Sequence, residues 1–572
     1  MQPLLHQVNQ VLIEAFQKLQ FPLSYAQASW SDRPDLGDFQ CNAAMHLAKI
    51  LRQPPAQIAA IIVDELRERP EFYSVSIAKP GFINLKIGID TLLAFSKAQV
   101  HDPLVGMQKR TGKVIVDFGG PNVAKPLHVG HLRSLVIGES LRRILVEAGY
   151  EVLSDVHLGD WGLQMGILIS ELKHRYPDLP YFQQTEGLED TDLPVSIDEL
   201  QLLYPQGTVA AKADSNRMLE ARQITAELQN RHKGYYALWL KLREISINNQ
   251  RLDFQRLHAH FDLWLGESDS QTFIPELIEI FRNKNLIRES DGALIVDVAD
   301  VNDSYDIPPL ILSKSDGSAL YSTTDLATII SRIRQFDPNW IIYVVDQRQS
   351  LHFTQVFRAA KKAGIAKDAI LTHAGFGTVN GKDGRPYKTR DGGVALLSTL
   401  LDEAVQKAEE RIPLKQTAEV VGIGALKFAD LDSVRTLGYV FDAERLVSLE
   451  GRTGPYIQYA CVRIKSILGR AEWKNETQSF SNNLVSIEFE LLLECSRFAE
   501  IFDRSVETLS PNELTQYLFT LAKKFSRFYK ECPIVNSTST STRNSRLQIC
   551  SLIYQILSKG LYLLGIEVPK KM

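Results

Sequence analysis

Two histidines three residues apart, in a loop that follows an apolar strand, are the residues of this chain best suited to handling phosphate. The stretch is Pro121-Asn122-Val123-Ala124-Lys125-Pro126-Leu127-His128-Val129-Gly130-His131. Val114 to Phe118 read as the strand that delivers it. A helix is expected from near Gly130, because Ile137, Leu141, Ile144, Leu145 and Ala148 fall on one face at helical spacing. A helix N-terminus presents unpaired N–H groups and the positive end of the helix dipole, which suits phosphates. Gly130 has no side chain to hold a base or ribose away from the backbone. His128 and His131 can point the same way and donate to a phosphate whose charge grows during displacement at phosphorus. Two histidines that merely cap a helix would have the same local sequence; the strand-loop-helix setting favours the phosphate reading.

The elements around this loop imply an α/β fold. Strand, loop, helix, Gly149 as helix stop, and a second strand form the order of a parallel-sheet unit, with the loop at the carboxyl end of the first strand where ligands bind. Strand and helix patterns resume in GALIVDV, LYSTTDLATIISRI and NWIIYVVD. Residues 106–410 therefore read as one Rossmann-type domain, interrupted by an insertion at about 172–265. From Tyr176 to Ala211 there are seven carboxylates and no Lys or Arg, the pattern of a solvated surface insertion. Residues 1–105 read as an α+β domain, in which Pro80 and Gly81 mark a turn inside the strand-like SVSIAKPGFINLKI. Residues 411–455 read as a connecting stem and 456–572 as an all-helical domain.

Composition sets limits on the partners. With 572 residues, 44% hydrophobic and 23% charged, the chain excludes the collagen-like, disordered and disulfide-scaffold classes. A net charge of -4 argues against indiscriminate coating of nucleic acid. The charge is partitioned, however: residues 455–572 carry 15 basic and 11 acidic side chains, a net +4, against -8 for the rest. Five scattered cysteines have no zinc-ligand spacing, which predicts no structural zinc and a reducing compartment. No apolar run approaches the roughly 20 residues that span a bilayer. The amphipathic N-terminus lacks a basic segment ahead of an apolar one. A cytoplasmic protein without a membrane partner is expected.

PNVAKPLHVGH is similar to the nucleotide-binding region of the class I aminoacyl-tRNA synthetases, and VDFGGPN, HLRSLVIGESL and LGDWGLQMG resemble the arginyl-tRNA synthetases in particular. The resemblance continues through GDFQCNAA and PGFINLKI, YSTTDLA and QSLHFTQVF, and EGRTGPYIQYACVRIKSIL, nearly the whole chain. It implies a ligase with a class I parallel-sheet catalytic domain, an N-terminal domain that contacts the tRNA corner and a helical anticodon-binding bundle. Its substrates would be L-arginine, ATP with Mg2+ as a substrate complex, and tRNA(Arg). Arginyl-adenylate would form first and the arginyl group would pass to the 3'-terminal ribose, with tRNA required even for the first step. The resemblance also implies a monomer.

An arginine substrate needs carboxylates in fork geometry and flat neighbours, because its guanidinium is planar, charged and rich in donors. By resemblance, the recognising positions are Asp117, Asn122, Tyr321, Asp325 and Gln349. All lie in segments expected at the carboxyl-end crevice of the sheet. Asn122 and Gln349 would hold the α-amino group, the carboxylate or the side chain; the resemblance does not apportion them. Taken singly, Asp117 and Asp325 are also ordinary helix-cap or turn residues. An acidic pocket argues against glutamate or glutamine as substrate.

A second, mobile nucleotide loop is implied at Gly381 to Gly393, where Thr389 stands at the position of the family's second lysine. Lys125, just upstream of His128, is the first candidate to supply the missing charge, and Lys382 the second; Lys388 and Arg390 are further cations of the loop. In the helical domain, Leu518, Leu521, Phe525 and Phe528 share one helix face and Lys523, Lys524, Arg527 and Lys530 the other. The basic face suits tRNA phosphates. Tyr456 and Tyr459 are either contacts to tRNA or packing residues. Two other readings share parts of this pattern. A small-molecule adenylyltransferase would not need the basic helical terminus, and an inactive tRNA-binding relative would not need His128, His131, Asp117 and Asp325 together.

Overall fold

The structure is a computed structural model and describes residues 1–183, 187–188, 191–315, 319–387, 395–474, 480–537 and 539–572. The chain opens with α1 (Leu4–Lys18), whose Leu4, Val8, Leu12, Ala15 and Phe16 form one buried stripe. Strands β1 (Ala28–Trp30) and β2 (Phe39–Cys41), helices α2 (Ala43–Leu51) and α3 (Pro55–Leu66), and strands β3 (Phe72–Ala78) and β4 (Phe82–Ile87) follow, with α4 (Ile89–His101) last. The strands make an antiparallel sheet in the order β1-β2-β4-β3, and the turn expected at Pro80-Gly81 joins its last hairpin.

The central sheet is built from β5 (Lys113–Phe118) and β6 (Glu151–Asp155), joined by α5 (Val129–Glu147). The chain then leaves the sheet as helices α6 (Leu163–Arg175), α7 (Pro180–Gln183), α8 (Ile197–Ala213), α9 (Ser215–Gln229) and α10 (Lys233–Arg256). This is the expected insertion, and its acids are more than a solvated surface. Ser196 and Glu199 form a reciprocal cap on α8, and Asp214 accepts from the N–H of Asn216 to start α9.

After α11 (Glu267–Ser270) and α12 (Ile274–Asn283), strands β7 (Arg288–Ser290), β8 (Ala293–Val296) and β9 (Leu310–Ser313) form a separate antiparallel sheet. GALIVDV was expected to continue the parallel sheet and does not. Asp291 and Gly292, at φ 49° and 76°, close a two-residue turn that folds β8 back on β7, the backbone a tight hairpin requires. The parallel sheet resumes after α13 (Tyr321–Phe336) with β10 (Trp340–Val344), α14 (Ser350–Ala363) and β11 (Ile370–His373). Its order is β11-β10-β5-β6, all parallel, so the connections diverge between β5 and β10 and open a crevice at their carboxyl ends. The register sets Asp117 beside Asp155 on one side and Tyr343 on the other.

Beyond β12 (Val379–Asn380) come α15 (Leu397–Glu409), α16 (Lys415–Asp432), β13 (Tyr439–Val440), which pairs with β12, and α17 (Ala443–Leu446). Arg110–Val447 with Leu564–Ile566 form one compact unit, so most of the stretch read as a stem from 411 lies within it. The other unit joins Met1–Lys109 to Ser448–Leu563 and Glu567–Met572. Its C-terminal part is a bundle of α18 (Gly454–Arg470), α19 (Ser486–Ser496), α20 (Phe498–Thr508), α21 (Asn512–Glu531) and α22 (Thr540–Leu563). All five cysteines are free and buried. Among the described residues no helix is long and apolar enough to cross a membrane.

Candidate active site

The first nucleotide loop turns into α5 through its own histidines. His128 caps the helix, its Nδ1 accepting from the Gly130 N–H at 3.0 Å, and His131 Nδ1 accepts from the His128 N–H at 3.0 Å. Capping and phosphate chemistry are thus not alternatives. With Nδ1 accepting, each neutral ring carries its proton on Nε2, leaving that nitrogen as a donor. Burial and the neighbouring charges of His128 and Lys125 hold His131 down at about 3, and burial and Lys125 lower His128, so both are neutral donors. The rings lie 4.0 Å apart. A β-carbon on Gly130 would sit 2.8 Å from the His128 ring, so the position must remain bare.

The two nucleotide loops meet at their bases. The Val129 N–H donates to the Ala395 carbonyl and the Leu397 N–H to the Leu127 carbonyl, which brings the far end of the second loop onto the first. Its near end is a tight turn in which the Gly381 N–H donates to Arg385 and the Tyr387 N–H to Val379. Lys382 pairs with Asp442 at 3.2 Å. Lys125 has its Nζ 3.9 Å from the Tyr204 ring centre, and its charge acts on both histidines. Lys388 and Arg390 lie outside the described residues.

The acids expected to take a guanidinium fall into two groups. Asp117 is buried at the end of β5, and its Oδ2 accepts from Arg332 Nη2 at 2.6 Å. The same nitrogen donates to Asp155 Oδ2 at 2.7 Å. Asp117 thus already pairs with a guanidinium of the chain itself. Burial raises its pKa while Arg332 and His157 oppose the rise. Asp117, Asp155 and His157 could together face a metal ion, but Arg332 bridges the two carboxylates.

Asp325 lies one turn into α13 and is a quarter exposed. His352 of α14 binds its Oδ2 at 2.6 Å. Tyr321, at the first turn of the same helix, is 68% exposed and within reach of a bound molecule. Glu267 completes this group, and its sequence context, WLGES, gave no sign of it. Burial, then Asp160 and Asp325, push Glu267 up to about 8, and Glu267 and Asp325 in turn raise Tyr321 after burial. The acids lie close enough to raise one another, Glu267 through Asp160 and Asp325 and Tyr321 through Glu267, so a cation placed among them would be favoured.

The placement of Glu267 depends on the chain re-entering beside β6 after the insertion, through bridges Asp155 to Leu263 and Leu158 to Gly266. A β-carbon on Gly266 would come 2.6 Å from the Asp160 carboxylate, so only glycine allows the approach. Asp160 is fully buried and fixed by Arg243 and by the Ser268 N–H and hydroxyl. Asn122 is half-buried and its carboxamide lies against Gly159. Gln349 is exposed at the end of the turn that precedes α14, three residues before His352.

In the helical bundle Leu518, Leu521, Phe525 and Phe528 are all fully buried, as the wheel predicts. The basic residues divide. Lys523 and Lys530 are exposed, Lys524 is half-buried on Glu494 at 2.7 Å, and Arg527 pairs with Glu531 at 3.1 Å. Tyr456 is held by packing, its ring on Phe519 and its hydroxyl on Ser526. Tyr459 supports Arg463, whose guanidinium lies 4.5 Å from its ring and 4.9 Å from that of Tyr529. A flat cation stacked between tyrosines is a surface suited to a nucleobase, and Arg463 was not singled out from the sequence.

Residues 95–443 match the family model described as class I (R) tRNA synthetases, catalytic domain, residues 4–87 the arginyl tRNA synthetase N terminal domain, and 457–572 the DALR anticodon binding domain. The chain is 44% identical to an arginine–tRNA ligase of Alkaliphilus oremlandii, with 100% of each sequence covered, and 43% identical to that of Maricaulis maris, with 99% of each covered. Among solved structures it is similar to arginyl-tRNA synthetase from Plasmodium falciparum, at 25% identity, TM-score 0.83 and full coverage of both chains. The Thermus thermophilus arginyl-tRNA synthetase shares the fold at 24% identity and TM-score 0.80, again over both whole chains.

Proposed function

The chain belongs to the arginyl-tRNA synthetases, class I enzymes whose activity is the ligation of arginine to tRNA, and from that premise we propose how its residues divide the work. In the first step an oxygen of the arginine carboxylate attacks the α-phosphorus of ATP. A P–O bond forms, the bond to the β-phosphate bridge breaks, and pyrophosphate leaves. No protein nucleophile is needed; positioning and charge stabilisation suffice. The Nε2–H groups of His128 and His131 donate to the phosphates, Gly130 admits the nucleotide, and Lys125 carries the charge that Thr389 does not supply. Lys382 is the reserve, and Lys388 and Arg390 remain candidates of the second loop. Mg2+ arrives on the phosphates of ATP.

Asp325, Glu267 and Tyr321 take the guanidinium, with Asn122 and Gln349 at the α-amino and carboxylate end. The observation that carries this is the gathering of Asp325, Glu267 and Tyr321 at the crevice, close enough that Glu267 is pushed up to about 8 chiefly by burial and then by Asp160 and Asp325. In the second step a hydroxyl of the tRNA terminal ribose attacks the arginyl carbonyl and AMP leaves. Lys523, Lys530 and Arg463 contact tRNA, while Lys524, Arg527, Tyr456 and Tyr459 support them. The enzyme works as a monomer, since one chain carries all three domain types, and in the cytoplasm, where five buried free thiols stay reduced.

The test is arginine-dependent exchange of labelled pyrophosphate into ATP, with and without tRNA. Exchange only with tRNA is expected. Exchange independent of tRNA contradicts the proposed tRNA requirement, and no exchange under either condition overturns the reaction assigned.

A further inference from the structure

Arg332 is the largest charged side chain buried in the catalytic unit, together with Arg133, and it touches neither nucleotide loop in the contacts described above. One nitrogen serves both Asp117 and Asp155, the guanidinium lies 5.4 Å from the Tyr343 ring, and its Nε and Nη1 have no hydrogen-bond partner among the described residues. Two carboxylates against one cation leave the cluster negative if both acids are ionised. Such a burial costs several kcal/mol in desolvation, and an apolar replacement would often be as stable, so stability alone is a weak reason for it.

Its place on α13 suggests a stronger one. Arg332 follows Asp325 by seven residues, two helical turns, so the two side chains share a helix face. Tyr343 lies within the electrostatic reach of both Asp117 and Asp325, so the two acid groups are near neighbours. A free guanidinium entering the crevice would thus meet two neighbouring carboxylate groups of the same chemistry.

We propose that Arg332 occupies a decoy guanidinium site formed by Asp117 and Asp155, and that by filling it from the chain it directs the arginine substrate to Asp325 and Glu267. Arg332 is then a positioning residue, and the claim rests on the assignment of Asp325 and Glu267 to the substrate. Without it, the substrate's guanidinium has a second place to bind, away from the geometry in which its carboxylate reaches the α-phosphorus. A displacement of that order costs large factors in rate.

The experiment uses the full chain in tRNA-supported pyrophosphate exchange, comparing wild type, Arg332→Ala and Arg332→Lys, with and without millimolar methylguanidinium. In wild type methylguanidinium only competes, raising the KM for arginine. In Arg332→Ala the KM for arginine rises about tenfold or more with the KM for ATP within about twofold, and methylguanidinium lowers it again by refilling the vacated site. Rescue of this sign is not produced by a general loss of packing. If methylguanidinium only competes in the Ala variant as well, the proposal is wrong. Arg332→Lys keeps a cation in the site and leaves the KM for arginine near that of wild type; a rise as large as in Arg332→Ala overturns the proposal. If Arg332→Ala does not fold, Arg332→Gln, which removes the charge and keeps much of the bulk, decides: a raised KM for arginine with unchanged KM for ATP supports the proposal, and an unchanged KM for arginine overturns it. A failure of the underlying substrate assignment is seen separately, as an Asp325→Ala variant with normal KM for arginine.

Discussion

Two groups of carboxylates border the same crevice and differ in a single respect. Asp117 and Asp155 are buried and share the guanidinium of Arg332, whereas Asp325 and Glu267 lie close to each other, with His352 on Asp325. The first pair already shares a guanidinium; in the second, burial and the neighbouring acids favour the protonated form of Glu267, and a bound cation would favour its carboxylate. A site for a charged ligand is therefore recognised by its missing counter-charge and not by the acids themselves. The helical bundle repeats the lesson on α21, where Lys524 and Arg527 are already bound to glutamates and Lys523 and Lys530 are exposed.

Substitutions can break this distinction, and their effects fall in a definite order. Asp325→Ala removes a charge-assisted contact from the open group and leaves His352 unpaired; the KM for arginine in pyrophosphate exchange rises about a hundredfold with little change for ATP. Equal effects on the two would move Asp325 out of the arginine pocket.

Glu267→Gln gives a smaller rise, about tenfold, and a changed pH dependence. In the free enzyme Glu267 sits near about 8, raised by burial and then by Asp160 and Asp325, and is mostly protonated at pH 7. Binding a guanidinium favours the carboxylate, so arginine binding expels a proton. Affinity rises with pH and levels off above about 8, the value to which the free residue is raised. The groups facing it are Asp160, Asp325 and Tyr321, with the Trp161 N–H donating to it; the Gln variant loses the slope. A slope unchanged in the variant would assign the titration to another group.

Asp117→Asn acts chiefly through stability. Breaking a buried pair costs about 3 kcal/mol, read as a lowered Tm, while the KM for arginine rises less than in Asp325→Ala. The smallest effects are on tRNA. Lys523→Ala and Lys530→Ala each raise the KM for tRNA a few-fold and lower its salt dependence by about one charge, and Arg527→Ala, whose charge is already paired, changes it less.

What the sequence made legible follows from how local each feature is. The histidine loop, its strand and its helix lie within about forty consecutive residues, so periodicity and spacing reach them, whereas Tyr321 and Asp325 were legible through the family resemblance of YSTTDLA. Glu267 joins Asp325 only because the chain returns beside β6 after a long helical insertion. Asp117 has the residue type of a cation ligand, but its partner lies 215 positions away, and no local pattern distinguishes an acid already paired from one left open. GALIVDV was misplaced for a different reason: the Asp291-Gly292 turn, which includes its first residue, is a hairpin signal that outweighs its resemblance to a parallel-sheet strand.

The most direct test of the account is a crystal structure with L-arginine bound. It predicts the substrate's guanidinium within hydrogen-bonding distance of Asp325 and Glu267, with Arg332 still joined to Asp117 and Asp155. A substrate guanidinium on Asp117, with Arg332 displaced, would contradict it.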